Sequence, residues 1–222
     1  MAKLEIACFN INSALIAQEN GADRVELCAD MELGGTTPSD SDIVEVRKAL
    51  NIQLNVMIRP RGGDFVYSNM EFEQMKKDII RIKAMDVDGL VFGILHEDHT
   101  VNIAQNKELV ALASPLPCTF HRAFDAVSNY SVALEDVISC GFQSILTSGC
   151  ELNVNTGLKN LKELVQLGRN RIVIMPGGGV RSTNIQHILK ETSATYFHSS
   201  AITDGGDTAV KEEVRALKSE IV

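Results

Sequence analysis

Short apolar runs alternate with longer amphipathic stretches from one end of the chain to the other. The spacing predicts strands over residues 4–9, 24–28, 52–59, 89–94, 117–121, 144–147, 172–175 and 195–199. Helical periodicity is expected between them, for example over 39–50, 69–85, 107–113 and 158–167. Ser68, with Glu71 three residues later, has the form of a capping box that opens the second of these helices. Eight strand–helix units without a linker or a shift in composition argue for one parallel α/β domain spanning residues 1–222. An open, doubly wound sheet is the alternative. Even spacing in so short a chain favours closure into a single (β/α)8 TIM barrel, a fold that needs roughly 200 residues or more.

Side chains alternate along a strand, and the outer face of a barrel strand must be buried under helices. In the third strand Ile52, Leu54, Val56 and Ile58 share one parity, which sends Asn55 and Arg59 into the barrel. Leu4, Ile6 and Cys8 facing outward put Glu5 inside, and Val25 and Leu27 facing outward put Glu26 and Cys28 inside. Leu116, Cys118 and Phe120 facing outward put Thr119 and His121 inside. The pattern leaves the parity of Thr147 and His198 open. Charged groups inside a barrel are costly unless they pair with one another or with a ligand. A structural ion-pair network, Glu26 with Arg59 for instance, is the plain explanation. The C-terminal ends of barrel strands are also where active sites on this fold lie.

Several polar motifs fall at those strand ends. Arg59-Pro60-Arg61-Gly62-Gly63-Asp64 leaves the third strand with two guanidiniums suited to gripping an oxyanion, or else forms a tight surface turn with solvated arginines. Thr119-Phe120-His121-Arg122-Ala123-Phe124-Asp125 leaves the fifth strand and offers a histidine, an arginine and an aspartate as an acid/base and its orienting partner; a lone core histidine is the alternative. Thr147-Ser148-Gly149 follows the sixth strand, Pro176-Gly177-Gly178-Gly179 the seventh, and His198-Ser199-Ser200-Ala201 ends the eighth. Gly177, Gly178, Gly179, Ser199 and Ser200 fit the phosphate cradle that barrels build after strands seven and eight, or turns that simply require glycine. With Arg59, Arg61 and Arg122 they make up the candidate anion-binding set, while Glu26, His121 and Asp125 are the candidate catalytic residues. His96-Glu97-Asp98-His99 reads as a solvated turn rather than a metal site, and His187 has no distinctive context.

Composition narrows the partners. Hydrophobic residues make up 45% of the chain and tryptophan is absent, as expected for a core of Val, Ile and Leu. A net charge of −8 disfavours nucleic acid and anionic membranes. No opening stretch has the form of a signal peptide, and no run of 18 apolar residues suggests a membrane span. Cys8, Cys28, Cys118, Cys140 and Cys150 are odd in number and scattered, which suits reduced thiols in a cytoplasmic protein.

The motif set resembles the CutC family. Asp23-Arg24-Val25-Glu26-Leu27-Cys28, Gly34-Gly35-Thr36-Thr37-Pro38-Ser39 and Ile58-Arg59-Pro60-Arg61-Gly62-Gly63-Asp64-Phe65 carry the resemblance. So do Thr119-Phe120-His121-Arg122-Ala123-Phe124-Asp125, Leu146-Thr147-Ser148-Gly149 and His198-Ser199-Ser200-Ala201, in consistent order across nearly the whole chain. The resemblance implies a cytoplasmic TIM barrel, a homodimer or higher homo-oligomer, and a role in copper homeostasis. The segment after Ala201 is shorter than the family leads one to expect. Cu(I) prefers thiolates, thioethers and imidazoles. The chain has no Cys-x-x-Cys and no methionine-rich run, so the sequence itself does not support a high-affinity copper site; weak or oligomer-shared binding has Cys28 and His198 as its metal candidates, with Cys150 in a loop.

Three readings stand side by side. The resemblance implies copper handling through Cys28 and a neighbouring histidine. Another is an enzyme acting on a small anionic or phosphorylated metabolite, with Arg59, Arg61 and Gly177–Gly179 holding the anion and His121 or Glu26 moving a proton. The third is a non-catalytic barrel that serves as a scaffold.

Overall fold

Strands form where branched and apolar residues alternate with polar ones, and in the computed structural model, which describes residues 2–222, they all run parallel. They are β1 (Lys3–Cys8), β2 (Arg24–Leu27), β3 (Gln53–Met57), β4 (Gly89–Phe92), β5 (Cys118–Phe120), β6 (Ser144–Thr147), β7 (Val173–Pro176) and β8 (Tyr196–Ser199). The helices between them are α1 (Ile11–Glu19), α2 (Asp40–Ala49), α3 (Asn69–Lys83), α4 (Ile103–Ala113), α5 (Tyr130–Cys140), α6 (Leu158–Gly168), α7 (Ile185–Thr192) and α8 (Lys211–Ser219). The hydrogen-bonded order is β7-β6-β5-β4-β3-β2-β1-β8. A doubly wound sheet reverses direction part-way along its order. This one advances strand by strand and brings β8 back to β1, so it is a (β/α)8 barrel. β7 and β8 close the circle as neighbours without ladder hydrogen bonds, which leaves a seam.

Helices α1 to α5 start on side-chain caps, whereas α6, α7 and α8 have none. Asn10, Ser39, Asn102 and Asn129 each accept a first-turn backbone N–H. Ser68 and Glu71 form the expected capping box. Asn102 starts α4 at Ile103, four residues before the helix expected from residue 107, because its side chain accepts from the Gln105 N–H. No helix among the described residues is long and apolar enough to cross a membrane.

The alternation of side chains sorts the strands as expected. Leu4, Ile6, Cys8, Val25, Leu27, Leu54, Val56, Ile58, Cys118 and Phe120 belong to the main core between strands and helices. A small separate apolar group, Cys28, Met57 and Val91 with Phe9 against it, lies on the opposite parity, inside the barrel. Glu5, Glu26, Asn55, Arg59, Thr119 and His121 are all buried. His198, whose parity the sequence left open, faces inward, where it meets Glu5 and Glu26.

Candidate functional site

Register decides which charges meet on the inner wall. Glu5 lies opposite Arg24 on β2 and opposite His198 on β8. Its carboxylate is bound by the Arg24 guanidinium and, at 2.8 Å, by His198 Nδ1. Burial alone would raise the Glu5 carboxyl, but Arg24 and His198 overcome it and hold it at about 2. The far side of the imidazole faces a second carboxylate, with His198 Nε2 3.8 Å from Glu26 Oε2. The same Glu26 oxygen lies 3.6 Å from Cys28 Sγ, which donates to it. Its other oxygen, Oε1, is buried without a partner. Burial pushes Glu26 up to about 7, against the pull of His198. For His198 burial works the other way and opposes protonation, yet Glu26 and Glu5 outweigh it and raise the imidazole. Burial and then the Glu26 charge push the Cys28 thiol well above its ordinary value.

Arg59 takes no part in that network, so the Glu26–Arg59 pair suggested by parity does not form. Its guanidinium bends over the rim and donates to the carbonyls of Leu33 (2.8 Å), Gly35 (2.9 Å) and Gly63 (2.9 Å). It thereby ties the loops after β2 and β3 together and stacks over the Phe65 ring at 4.9 Å. Arg61 is engaged as well: Nε donates to Glu71 at 2.6 Å, and Nη2 to Asp64 at 2.9 Å and the Val66 carbonyl at 2.7 Å. In this conformation Arg61 braces its own loop rather than offering its fork to an anion.

His121 is buried beside Phe65, its Nδ1 accepting the Ala123 N–H at 3.3 Å. Burial, then the Arg59 charge, lower it to about 3 and keep the ring neutral. Asp125, expected to orient a proton-transfer partner, does something else. One oxygen accepts the Thr147 hydroxyl and the N–H groups of Ser148 and Cys150. The other accepts from Arg122 Nε at 2.8 Å. Asp125 therefore holds the loop after β6. Arg122 continues to the Ser148 hydroxyl at 3.1 Å and lies flat against Gly178, where a Cβ would come within 3.0 Å of its Cζ. Gly177 has a similar reason, since a Cβ there would stand 2.3 Å from Leu146 Cδ1 and 3.2 Å from His198 Cβ. These glycines admit the side chains of neighbouring strands to the interior.

Ser199 is buried and used up between the Val180 carbonyl and Arg181. Ser200, next to it, opens onto a cleft of about 760 Å³ together with Phe9, Arg181, Ser182, Gly205 and Gly206. The cleft sits after β7 and β8, as the glycine and serine motifs suggested, but Arg181 and the 205–206 glycines line it rather than Gly177–Gly179. Glu213 from α8 also reaches it and accepts both the N–H and the hydroxyl of Ser182. A larger cleft of about 1030 Å³ opens on the opposite face, around Gln143, Arg169 and Thr195, far from the strand ends that carry the motifs.

Sequence reasoning missed Arg24, Met57, Tyr67 and Arg181. Parity puts Arg24 and Met57 inside, and reading that parity across β2 and β3 in full would have found both. Tyr67 and Arg181 lie in loops without such a pattern.

The donors on the inner wall are of mixed kind: the Cys28 thiol and His198 Nε2 each face Glu26 Oε2, and Met57 belongs to the same small apolar group as Cys28, while the donors that lie mutually close are two carboxylates and an imidazole, without a sulfur. Glu5, Glu26 and His198 bring one donor atom each within 4.8 Å of one another. The Glu5–His198 contact is the kind of carboxylate–imidazole bond that orients a ligating histidine.

The family profile described as CutC matches residues 2–203. A human protein named copper homeostasis protein cutC homolog is 46% identical over 198 residues, covering 89% of this chain and 72% of its own length. The crystal structure of a copper homeostasis protein CutC from Streptococcus agalactiae superposes with a TM-score of 0.87 at 36% identity, over 91% of this chain and 100% of that one. Phosphoribosylanthranilate isomerase from Thermotoga maritima shares the fold, with a TM-score of 0.66 at 14% identity over 100% of this chain and 98% of that one.

Proposed function

The chain belongs to the CutC family, and from that premise we propose that it handles copper, taking Cu(I) as cargo on the inner wall of the barrel mouth through Cys28 and His198. One observation carries this reading: thiol and imidazole converge on a single carboxylate oxygen, Glu26 Oε2, at 3.6 and 3.8 Å. Cu(I) binds a thiolate, and the Cys28 proton must leave when the ion arrives. Glu26 already accepts the thiol hydrogen bond and is poised near neutrality, so that proton passes to its carboxylate. Glu5, kept ionised by Arg24, fixes the imidazole from behind with Nε2 turned toward the thiol side. The donors are buried, which suits an ion rather than a large metabolite. Five free cysteines fit a reducing, cytoplasmic setting, and a homo-oligomer is part of the same reading.

The test is an anaerobic competition titration of Cu(I) against a chromogenic chelator. We expect Cys28→Ser and His198→Gln each to weaken Cu(I) by about tenfold or more, as loss of a ligand or its support does. Cys150→Ser, whose thiol donates to the Phe124 carbonyl, should leave it unchanged. Parent-like affinity in Cys28→Ser would sink the proposal. The cleft of about 760 Å³ beside Ser200 supports a second reading, an enzyme for a small anionic metabolite, because barrels place phosphate groups after strands seven and eight. Glu213 inside that cleft weighs against it.

A further inference from the structure

The loop from Arg59 to Tyr67 carries a feature that copper handling does not use. Arg59 is 4% exposed, and its three protein acceptors are all neutral carbonyl oxygens, so a full positive charge is buried there without a carboxylate against it. Its Nε–H has no acceptor at all. Two more buried polar atoms nearby are in the same condition: the Tyr67 hydroxyl and His121 Nε2. Because His121 Nδ1 accepts the Ala123 N–H, the ring proton sits on Nε2, which makes that atom a donor. Phe65 gathers the group, with Arg59 stacked over its ring at 4.9 Å and the His121 ring edge-on to it at 4.9 Å. The Arg59 guanidinium also faces the Tyr67 phenol, bearing on it by charge and by a side-chain hydrogen bond that leaves the phenol its own O–H to donate. Buried polar groups in folded proteins are nearly always satisfied, and an unpaired one calls for a specific explanation. Here the unpaired groups are three donors, and the charge beside them is positive.

We propose that Arg59, Tyr67 and His121 form a subsite for a compact oxyanion, a carboxylate or phosphoryl group, beneath the loop that follows β3. Nε–H, O–H and Nε2–H are the donors, and the uncompensated guanidinium supplies the charge. Asp64, the nearest acid on the loop, is already neutralised by Arg61 at 2.9 Å. Tyr67 also lines an open cleft of about 500 Å³ with Val66, Leu95 and Asn102, so the site is approached from its tyrosine side. Glu97 and Asp98 stand in the same cleft and repel large polyanions, which restricts the ligand to a small one. The subsite is independent of Cys28 and His198, and copper binding can fail while it stands.

The experiment follows the His121 Nε2–H resonance in 15N-histidine-labelled full-length protein during separate titrations with inorganic phosphate and with acetate. A saturable shift is expected with at least one of them. Phosphate alone identifies a phosphoryl site, and acetate alone identifies a carboxylate site. Tyr67→Phe removes only the hydroxyl and keeps the ring, so the fold should persist while anion affinity drops about tenfold, the worth of one charge-assisted hydrogen bond. Arg59→Lys, which keeps the charge and loses the Nε donor, should weaken the anion as well. A His121 signal indifferent to both anions would overturn the proposal and assign the three donors to ordered water. Equal affinity in parent and Tyr67→Phe would overturn it too.

Discussion

Glu5 and Glu26 stand on neighbouring strands of the same inner wall, yet they end on opposite sides of the usual carboxylate value. Burial raises both. Glu5 has Arg24 and His198 hydrogen-bonded to it and is held at about 2, whereas burial outweighs the pull of His198 and the Cys28 hydrogen bond on Glu26, and the neighbouring Glu5 charge adds to the rise, to about 7. The difference gives a signed prediction for the metal-free protein. Below the ordinary value of 4.5, Glu26 is protonated in both folded and unfolded chains and costs nothing. Between 4.5 and about 7 the unfolded chain releases its proton first, so the parent loses stability as pH rises; above about 7 the loss is constant. Glu26→Gln has no such titration. Its urea midpoint should match the parent near pH 4 and exceed it by the equivalent of roughly 3 kcal/mol at pH 8. A gap that stays level across the range would mean that Glu26 ionises freely. The sequence let Glu26 be placed inside by parity, but not its partner. Parity fixes the face a side chain takes, while pairing depends on register, which set Arg24 rather than Arg59 beside the acidic pair.

Between strands and helices, the loops are held by side chains whose roles depend on contacts distant in sequence. The Ser68–Glu71 box was legible because its partners lie three residues apart, and α3 starts there. Asp125 was legible only as an acid close to a histidine and an arginine in sequence, and its actual work is to gather N–H groups from Ser148 and Cys150, more than twenty residues on. Asp125→Asn turns an amide donor toward those N–H groups or toward Arg122. It should cost about 2–4 kcal/mol, in the range for breaking a buried charge-assisted network. For a chain of this size each kcal/mol lowers the thermal midpoint by about 2–4 °C. The loss should be local in character, with the Ser148 and Cys150 amides exchanging faster while the His121 ring resonances stay at their parent positions. Displaced His121 resonances would show that Asp125 does act through the imidazole.

The eightfold rhythm of the chain announced a barrel, because each strand–helix unit writes its own local pattern. How the circle closes is not local, and nothing in the rhythm distinguishes a bonded junction from an unbonded one. β1 pairs with β2 and with β8 through continuous registers, and β6 pairs with β7 through four residue pairs, whereas β7 and β8 meet without a ladder. The strand edges at that junction are therefore held by side chains, packed around Leu146, Met175 and His198 and hydrogen-bonded at the rim from the Ser199 hydroxyl to the Val180 carbonyl, and Arg24 reaches across to the Met175 sulfur at 3.6 Å. Amides that lack a ladder partner open at lower free energy than those that share one. Native-state hydrogen exchange should accordingly find β8 less protected than β2, although both lie in the same barrel and both border β1. The large cleft at Arg169 to Ile174 and Lys190 to Thr195 lies at the lower end of this junction, so early exchange there should extend to the start of β7. His198 is on the weaker strand, and a ligand held by it and Cys28 would tie β8 to β2 across β1. Cu(I) should then slow exchange in β8 more than in β2, and equal slowing in both strands would place the ion elsewhere.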